Sequence, residues 1–238
     1  MFSFSFSSLL MLYFLMLFIS GLSGLLFLHP RVPLSFVRIH IGIVALPPLV
    51  SLFALATNTT VNGIFGPWYQ DSLAWLMAFF VLSIGLIIQR FSVRYLMGDS
   101  SYRKYFTLFT FTTGFASIAW LSSDLRLIVM FWGATLAGLT LLIGLNSGWK
   151  VASEAAKVSG RLFTLSWFSL LSAMIWLFQV TGEWQLSLAL TNERLAHLGV
   201  WERTGINLLI VLAVIIPAAQ WPFQRWLIES VVAPTPVS

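Results

Sequence analysis

The residue types best able to do chemistry in this chain crowd into residues 217–229: Pro217, Gln220, Pro222, Arg225 and Glu229, within an apolar run that starts near Ile206. Proline removes a backbone donor and clashes with the preceding turn, so a helix beginning at Ile206 has to kink or unwind here. Two helical pieces are expected, 206–216 and 221–232, with the break between Pro217 and Trp221. Pro217 leaves the Ala213 carbonyl without its helical donor, and Pro222 does the same to Ala218. The Gln220 amide or Arg225 could supply the missing donors. Backbone opened at membrane depth is tolerated only where protein or a water-filled cavity surrounds it, and transporters bind or pass ions at broken helices. Glu229 follows Arg225 by four residues on one helix face, so its carboxylate can be paired, protonated or wetted. The chemistry this allows is passage of a proton or small ion past Gln220 toward Glu229. The alternative is a kinked helix running into an interfacial loop, with Arg225 and Glu229 simply in water.

Other titratable groups have two readings each. Lys157 is a relay candidate if desolvated, or a positive charge at a helix end. Asp124 and Arg126 flank the start of a helix and read as a solvated interfacial pair, as does Arg161. His40 lies inside an apolar run, where it either relays protons near neutral pH or bonds a neighbouring helix. His29, His40 and His197 are too far apart for a metal motif, and the absence of cysteine excludes disulfides and thiolate-bound clusters. There is no Gly-rich phosphate loop and no serine–histidine–acid set. No metal, cofactor, redox or hydrolytic site is expected.

The elements that must position these residues are apolar helices. Of 238 residues, 58% are hydrophobic and only 9% charged, against roughly 25% charged in soluble domains; mean hydropathy is +0.90. The composition specifies an all-α integral membrane protein in the lipid bilayer. Basic residues are scattered singly despite a net charge of +5, so nucleic acid is not a partner. Helices are expected near 8–28, 37–56, 72–89, 105–121, 127–145, 162–180 and 206–228, about seven spans, the last broken at Pro217/Pro222. The first basic residue is Arg31, so 2–28 reads as an uncleaved helix. The first, third and fifth loops carry Arg31, Arg38, Arg90, Arg94, Arg103, Lys104, Lys150, Lys157 and Arg161; the even loops carry only Arg126, Arg194 and Arg203. The positive-inside rule then puts the N-terminus outside and the odd loops in the cytoplasm. Asn62-Gly63 and Gly66-Pro67 mark the second loop as a turn region. The threonines of the fourth helix (Thr107, Thr110, Thr112, Thr113) and the Gly133/Ala137 and Ala134/Gly138 pairs of the fifth read first as packing.

Four pieces together resemble one family: Asp71-Ser72-Leu73; Tyr95-Leu96-Met97-Gly98-Asp99 with Tyr102-Arg103-Lys104-Tyr105-Phe106; Phe131-Trp132 leading to Leu141-Leu142-Ile143-Gly144; and, most specific, the sequence from Ala219 to Leu227 followed by Pro234-Thr235-Pro236-Val237-Ser238. They resemble the antiporter-like membrane subunits of proton-pumping NADH:quinone oxidoreductase (complex I), chiefly chain L, the subunit 5 type. Relatives are the Mrp-type antiporter subunits and the membrane subunit of DAB-type inorganic-carbon transporters. The resemblance covers 71–238, which reads as the start of an antiporter-like domain, while 1–70 forms a helix pair matched only in hydropathy. Family chains continue past Pro-Thr-Pro-Val-Ser, so the chain is expected to be an N-terminal portion, a split gene product or a truncated form.

The resemblance implies a proton-coupled complex in which this chain is at most a proton-translocating subunit with no redox or hydrolytic site of its own, with other membrane and soluble subunits as partners and a bacterial cell membrane as location. Two departures bear on mechanism. Gly133 stands where the family has a glutamate after the tryptophan, and Pro217 stands where it has a lysine three residues before the glutamine matched by Gln220. That glutamate–lysine pair is the family's proton-driving element. What carries over is Lys157, at the position of a family lysine, and Glu229, at the position of an acid before Pro-Thr-Pro. Three functions are compatible: a complex I-like proton-translocating subunit, a DAB-type inorganic-carbon transporter subunit, and a structural membrane protein that moves no ion.

Overall fold

Long apolar runs close into helices because a backbone facing lipid has no partner but itself. The computed structural model describes residues 6–29, 31–33, 35–57, 63–65, 67–146, 148–196 and 198–237; Asn62, Gly66, His197 and Ser238, noted in the sequence, lie outside them. Contacts divide the chain into two compact units, Met1–Leu121 and Ser122–Ser238. This partition differs in kind from the boundary at 70/71, which marks where the family resemblance begins.

The first unit contains α1 (Phe6–Leu26), α2 (Phe36–Val44), α3 (Leu46–Ala56), a short hairpin of β1 (Gly63–Phe65) and β2 (Trp68–Gln70), α4 (Ser72–Tyr95) and α5 (Tyr102–Leu121). The Asp71 carboxylate caps α4 by accepting from Ala74 N at 2.6 Å. Helices α2 and α3 form one nearly continuous span, interrupted at Ala45 because Pro47 and Pro48 open α3. Pro47 cannot donate to the Ile43 carbonyl; Ser20 Oγ of α1 lies 3.3 Å from that oxygen and 2.8 Å from Met16 O. Tyr13, Trp75, Ala78 and Leu82 form a core with Leu9 and Leu121, the Tyr13 and Trp75 rings meeting edge to face at 5.2 Å.

His40 is fully buried in this unit. Its Nδ1 lies 2.8 Å from Ser23 Oγ of α1, and its Nε2 lies 3.1 Å from Gln89 Oε1 of α4 and 3.3 Å from Thr110 Oγ1 of α5. Gln89 Oε1 can only accept, so Nε2 carries a proton toward it. Of the two readings of His40, the geometry shows the bond to neighbouring helices.

The second unit contains α6 (Leu125–Ile143), α7 (Lys150–Thr181), α8 (Leu186–Ala189), α9 (Asn192–Ala196), α10 (Val200–Ile215), α11 (Arg225–Glu229) and a 3-10 turn, Ser230–Val232. Helix α7 packs against α6, α10 and α11. It starts well before the expected 162, at Lys150. At 1.5 Å per residue its 32 residues span about 48 Å, more than the roughly 30 Å hydrocarbon core. Its first three turns, with Lys150, Glu154, Lys157 and Arg161, are therefore the part that can stand outside.

Among the described residues five helical stretches are long and apolar enough to cross a membrane: Leu9–Leu26, Phe36–Ala56, Ser72–Tyr95, Leu125–Ile143 and Lys150–Thr181. The other two expected spans form α5, which opens on Arg103 and Lys104, and α10, which has 16 residues. Phe18, Ile87, Leu208 and Ile228 are each more than 60% exposed, as side chains facing lipid are.

Asp124 caps α6. Its Oδ1 accepts from Arg126 N at 2.8 Å and Arg126 Nε at 3.0 Å, its Oδ2 from the guanidinium at 2.7 Å, and Arg126 lies over the Trp184 ring at 5.0 Å. The Asp124 side chain is only 12% exposed, so the expected solvated pair is half wrong: the carboxylate is covered and the guanidinium is wet. The hydrogen bond from Arg126 holds the Asp124 carboxyl below its ordinary value. A depressed folded pKa stabilises above the unfolded value, and that contribution is lost as pH falls through the folded one. Asp124→Asn is therefore expected to destabilise at neutral pH and to begin to converge on the parent only as pH falls below the ordinary carboxylate value of about 4, measured by unfolding across an acid series. A difference that grows on acidification would contradict the cap.

Candidate functional site at the broken helix

The stretch picked out by its prolines is broken, but over a longer interval than expected. Helix α10 ends at Ile215, residues 216–224 are turns and bends, and α11 begins only at Arg225, not at Trp221. The peptide between Trp221 and Pro222 is cis. Ala219 has φ 52°, the left-handed conformation that closes a helix. Gln220 N donates to Ile215 O and Ala219 N to Ile216 O, both at 3.1 Å, the paired bonds of a Schellman ending.

Each carbonyl at this helix end has a donor. Ala218 N reaches Val214 O at 3.2 Å. Ile216 O also accepts from the Trp226 indole at 2.8 Å. The Ala213 carbonyl, freed by Pro217, accepts from Ser166 Oγ of α7 at 2.7 Å. That donor is neither Gln220 nor Arg225, as the sequence had suggested. Gln220 Nε2 does approach Ala218 O, the carbonyl freed by Pro222, at 3.4 Å. Ser166 and Ala213 are fully buried, and the Trp132 indole of α6 makes a long contact with Ser166 Oγ, 3.5 Å. A neutral set, indole to hydroxyl to carbonyl, thus joins α6, α7 and α10.

Gly133, next to Trp132, explains how close α6 and α7 come. A Cβ at Gly133 would lie 2.5 Å from Trp167 Nε1 and 2.6 Å from its Cδ1. Trp167 in turn donates to Val129 O at 3.1 Å. The space beside residue 133 is filled by an indole that bonds α6 backbone.

The expected path residues are not gathered at this latch. Arg225 Nε lies 2.6 Å from Glu229 Oε1, with side chains 74% and 30% exposed. Lys157 lies on α7, not in a loop, 2.8 Å from Glu154, both more than half exposed. Pro217 is half-buried, and Gln220 and Pro222 are exposed. Trp226 stacks edge to face on Phe163 at 4.8 Å, which seats α11 on α7. Ser166, Trp167 and Trp226 were missed in the sequence. The one available signal was a serine within an apolar helix, and that names no partner.

Residues 122–238 match the family described as NADH:quinone oxidoreductase/Mrp antiporter, TM, and residues 67–106 match the N-terminus of NADH-ubiquinone oxidoreductase (complex I) chain 5. The longer match coincides with the second compact unit. The chain belongs to this family of antiporter-like membrane subunits. It is 78% identical over 236 residues to the probable inorganic carbon transporter subunit DabB of Bacillus subtilis (strain 168), covering 99% of this chain and 46% of that protein. It is 71% identical over 238 residues to the subunit of the same name from Bacillus anthracis, again covering 99% and 46%. The chain thus spans about half the length of the curated relatives it matches. Among solved structures, a chain of the archaeal membrane-bound sulfane sulfur reductase, a respiratory membrane complex, aligns with a TM-score of 0.76 at 17% identity, over 97% of this chain and 48% of that one; this likeness concerns the fold. The protein is an integral membrane protein whose relatives are subunits of multi-subunit membrane complexes.

In family terms, the positions of the glutamate and lysine are Gly133 and Pro217, and the structure shows what stands there: an indole in the glutamate's space and a helix break in the lysine's. Neither an indole N–H nor a backbone carbonyl exchanges a proton near neutral pH. The Trp132–Ser166–Ala213 set holds three helices together without titrating.

Proposed function

We propose that the chain is part of the membrane subunit of a proton-coupled inorganic-carbon transporter of the DAB type, lying in a bacterial cell membrane with its N-terminus outside. The 78% identity to the Bacillus subtilis subunit across 99% of the chain carries this reading. The Gly133 and Pro217 positions favour it over a complex I-like proton pump, since a pump of that type is built on the charge pair absent here. Proton coupling then belongs to groups outside the latch. Glu229, with Arg225 on its own helix and Gln220 at the break, is the proposed local path. Lys157, paired with Glu154 near the N-terminal end of α7, is a second candidate. The latch itself, an indole, a hydroxyl and a backbone carbonyl, offers no ionisable side chain.

The test uses the intact complex in cells. Uptake of labelled bicarbonate should require the subunit and should collapse with a protonophore. Glu229→Gln is expected to lower uptake at least tenfold while the complex still assembles. Unchanged uptake in Glu229→Gln would remove Glu229 from the path. Loss of NADH-driven quinone reduction on deletion, with bicarbonate uptake intact, would replace the transporter reading by the oxidoreductase one.

A further inference from the structure

Four arginines of the first unit line one cleft of about 860 Å³: Arg38 of α2, Arg90 and Arg94 of α4, and Arg103 of α5. Arg103 donates to His29 O at 2.9 Å. The side chains of Arg38, Arg90 and Arg94 have no ion-pair or hydrogen-bond partner among the described residues. One carboxylate, Asp99, lines the cleft, and its Oδ1 is engaged by Ser101 N at 2.6 Å. Four guanidiniums facing one acid repel one another unless an anion joins them. Arginine forks match phosphate oxygens in pairs. The N-terminal ends of α2 and α5 reach the same cleft through Ser35 and Tyr102, adding the positive ends of two helix dipoles.

The apolar side of the cleft selects the kind of anion. Ile41, Val93 and Met97 line it together with the arginines. On α4, Arg90 and Arg94 alternate with Ile87 and Phe91, 67% and 55% exposed, at the 87, 90, 91, 94 spacing that shares one helix face. A lipid-facing stripe therefore runs directly into the basic cleft. Basic pockets between membrane helices at the cytoplasmic surface hold anionic lipid head groups.

We propose that this cleft binds the phosphate head group of an anionic phospholipid, of the phosphatidylglycerol or cardiolipin class, with an acyl chain lying along Ile87 and Phe91. Neither the family match nor the transport reading assigns a ligand to this place, and the proposal stands independently of both.

The experiment is native mass spectrometry of the detergent-released complex titrated with cardiolipin, phosphatidylglycerol, phosphatidylcholine or inorganic phosphate. The parent should retain the two anionic lipids at least fivefold more than phosphatidylcholine. Arg90→Gln with Arg94→Gln should remove that preference. Arg90→Lys with Arg94→Lys, which keeps the charge and loses the forks, should retain part of it and guards against a folding defect in the glutamine pair. Equal retention of anionic lipid by the parent and a stably folded glutamine pair overturns the proposal. Displacement of the lipid by millimolar inorganic phosphate overturns it in favour of a free anion. Anionic-lipid binding that appears only when a partner subunit is stripped away overturns it in favour of a protein contact.

Discussion

Gly133→Glu, the single change that would restore the family's carboxylate, is expected to damage the second unit rather than to create a proton site. The first added atom already meets Trp167, 2.5 Å from Nε1, so the indole must move and give up its 3.1 Å bond to Val129 O. Overpacking of a tight site costs about 1–3 kcal/mol, and an orphaned buried donor or acceptor costs about 1–3 kcal/mol more. A carboxylate among apolar helices adds its own desolvation. Gly133→Ala isolates the steric part and is expected to cost about 1–3 kcal/mol. In a Trp167→Leu background the same alanine should cost less than about 1 kcal/mol, because the colliding ring is gone. Equilibrium unfolding in detergent of the parent, the three single variants and the double variant measures these costs. A Gly133→Glu chain as stable as the parent would show that Trp167 does not fill this space.

Ser166→Ala carries the second large effect. It removes the donor to Ala213 O at 2.7 Å and the acceptor facing the Trp132 indole, both in a buried place. Hydrogen bonds between membrane helices average only about 0.6 kcal/mol, because unfolded segments find other partners. The Ala213 carbonyl is a harder case: Pro217 denies it the usual helical donor, and it is fully buried. The expected loss is about 1–3 kcal/mol. Ser166→Thr keeps the hydroxyl and should retain more stability than alanine.

Much of this was legible in the sequence. Composition named the all-α membrane class, and five helical stretches among the described residues are long and apolar enough to cross a bilayer; Asp71 caps α4 where the motif beginning at residue 71 opens a helix. The break near Pro217 follows from a missing donor, which is local information. Where the reading slipped, the cause was non-local or a matter of scale. Helix α7 begins twelve residues before the expected start because Lys150, Glu154, Lys157 and Arg161 end a hydropathy run without ending a helix. The hairpin at 63–70 and the short α8 and α9 are too brief for a periodicity to register. The donor to Ala213 was sought nearby, in Gln220 and Arg225, but comes from Ser166, 47 residues away in sequence. Gly133 was legible as a departure from the family, yet nothing local tells that Trp167 occupies its space.

A serine lies close to the freed carbonyl at both proline breaks. At Pro47 a serine of α1 stands beside the freed Ile43 carbonyl, and at Pro217 a serine of α7 bonds the freed Ala213 carbonyl. The second is the shorter contact. That a neutral hydroxyl holds the break is the claim on which the account of this site rests. A double-mutant cycle between Ser166→Ala and Pro217→Ala in equilibrium unfolding tests it most directly. Pro217→Ala restores an N–H four residues after Ala213, which can bond that carbonyl and release Ser166 from the task. The account predicts that Ser166→Ala costs at least about 1 kcal/mol less in the Pro217→Ala background than in the parent. Additive costs, agreeing within about 0.3–0.5 kcal/mol, would contradict it.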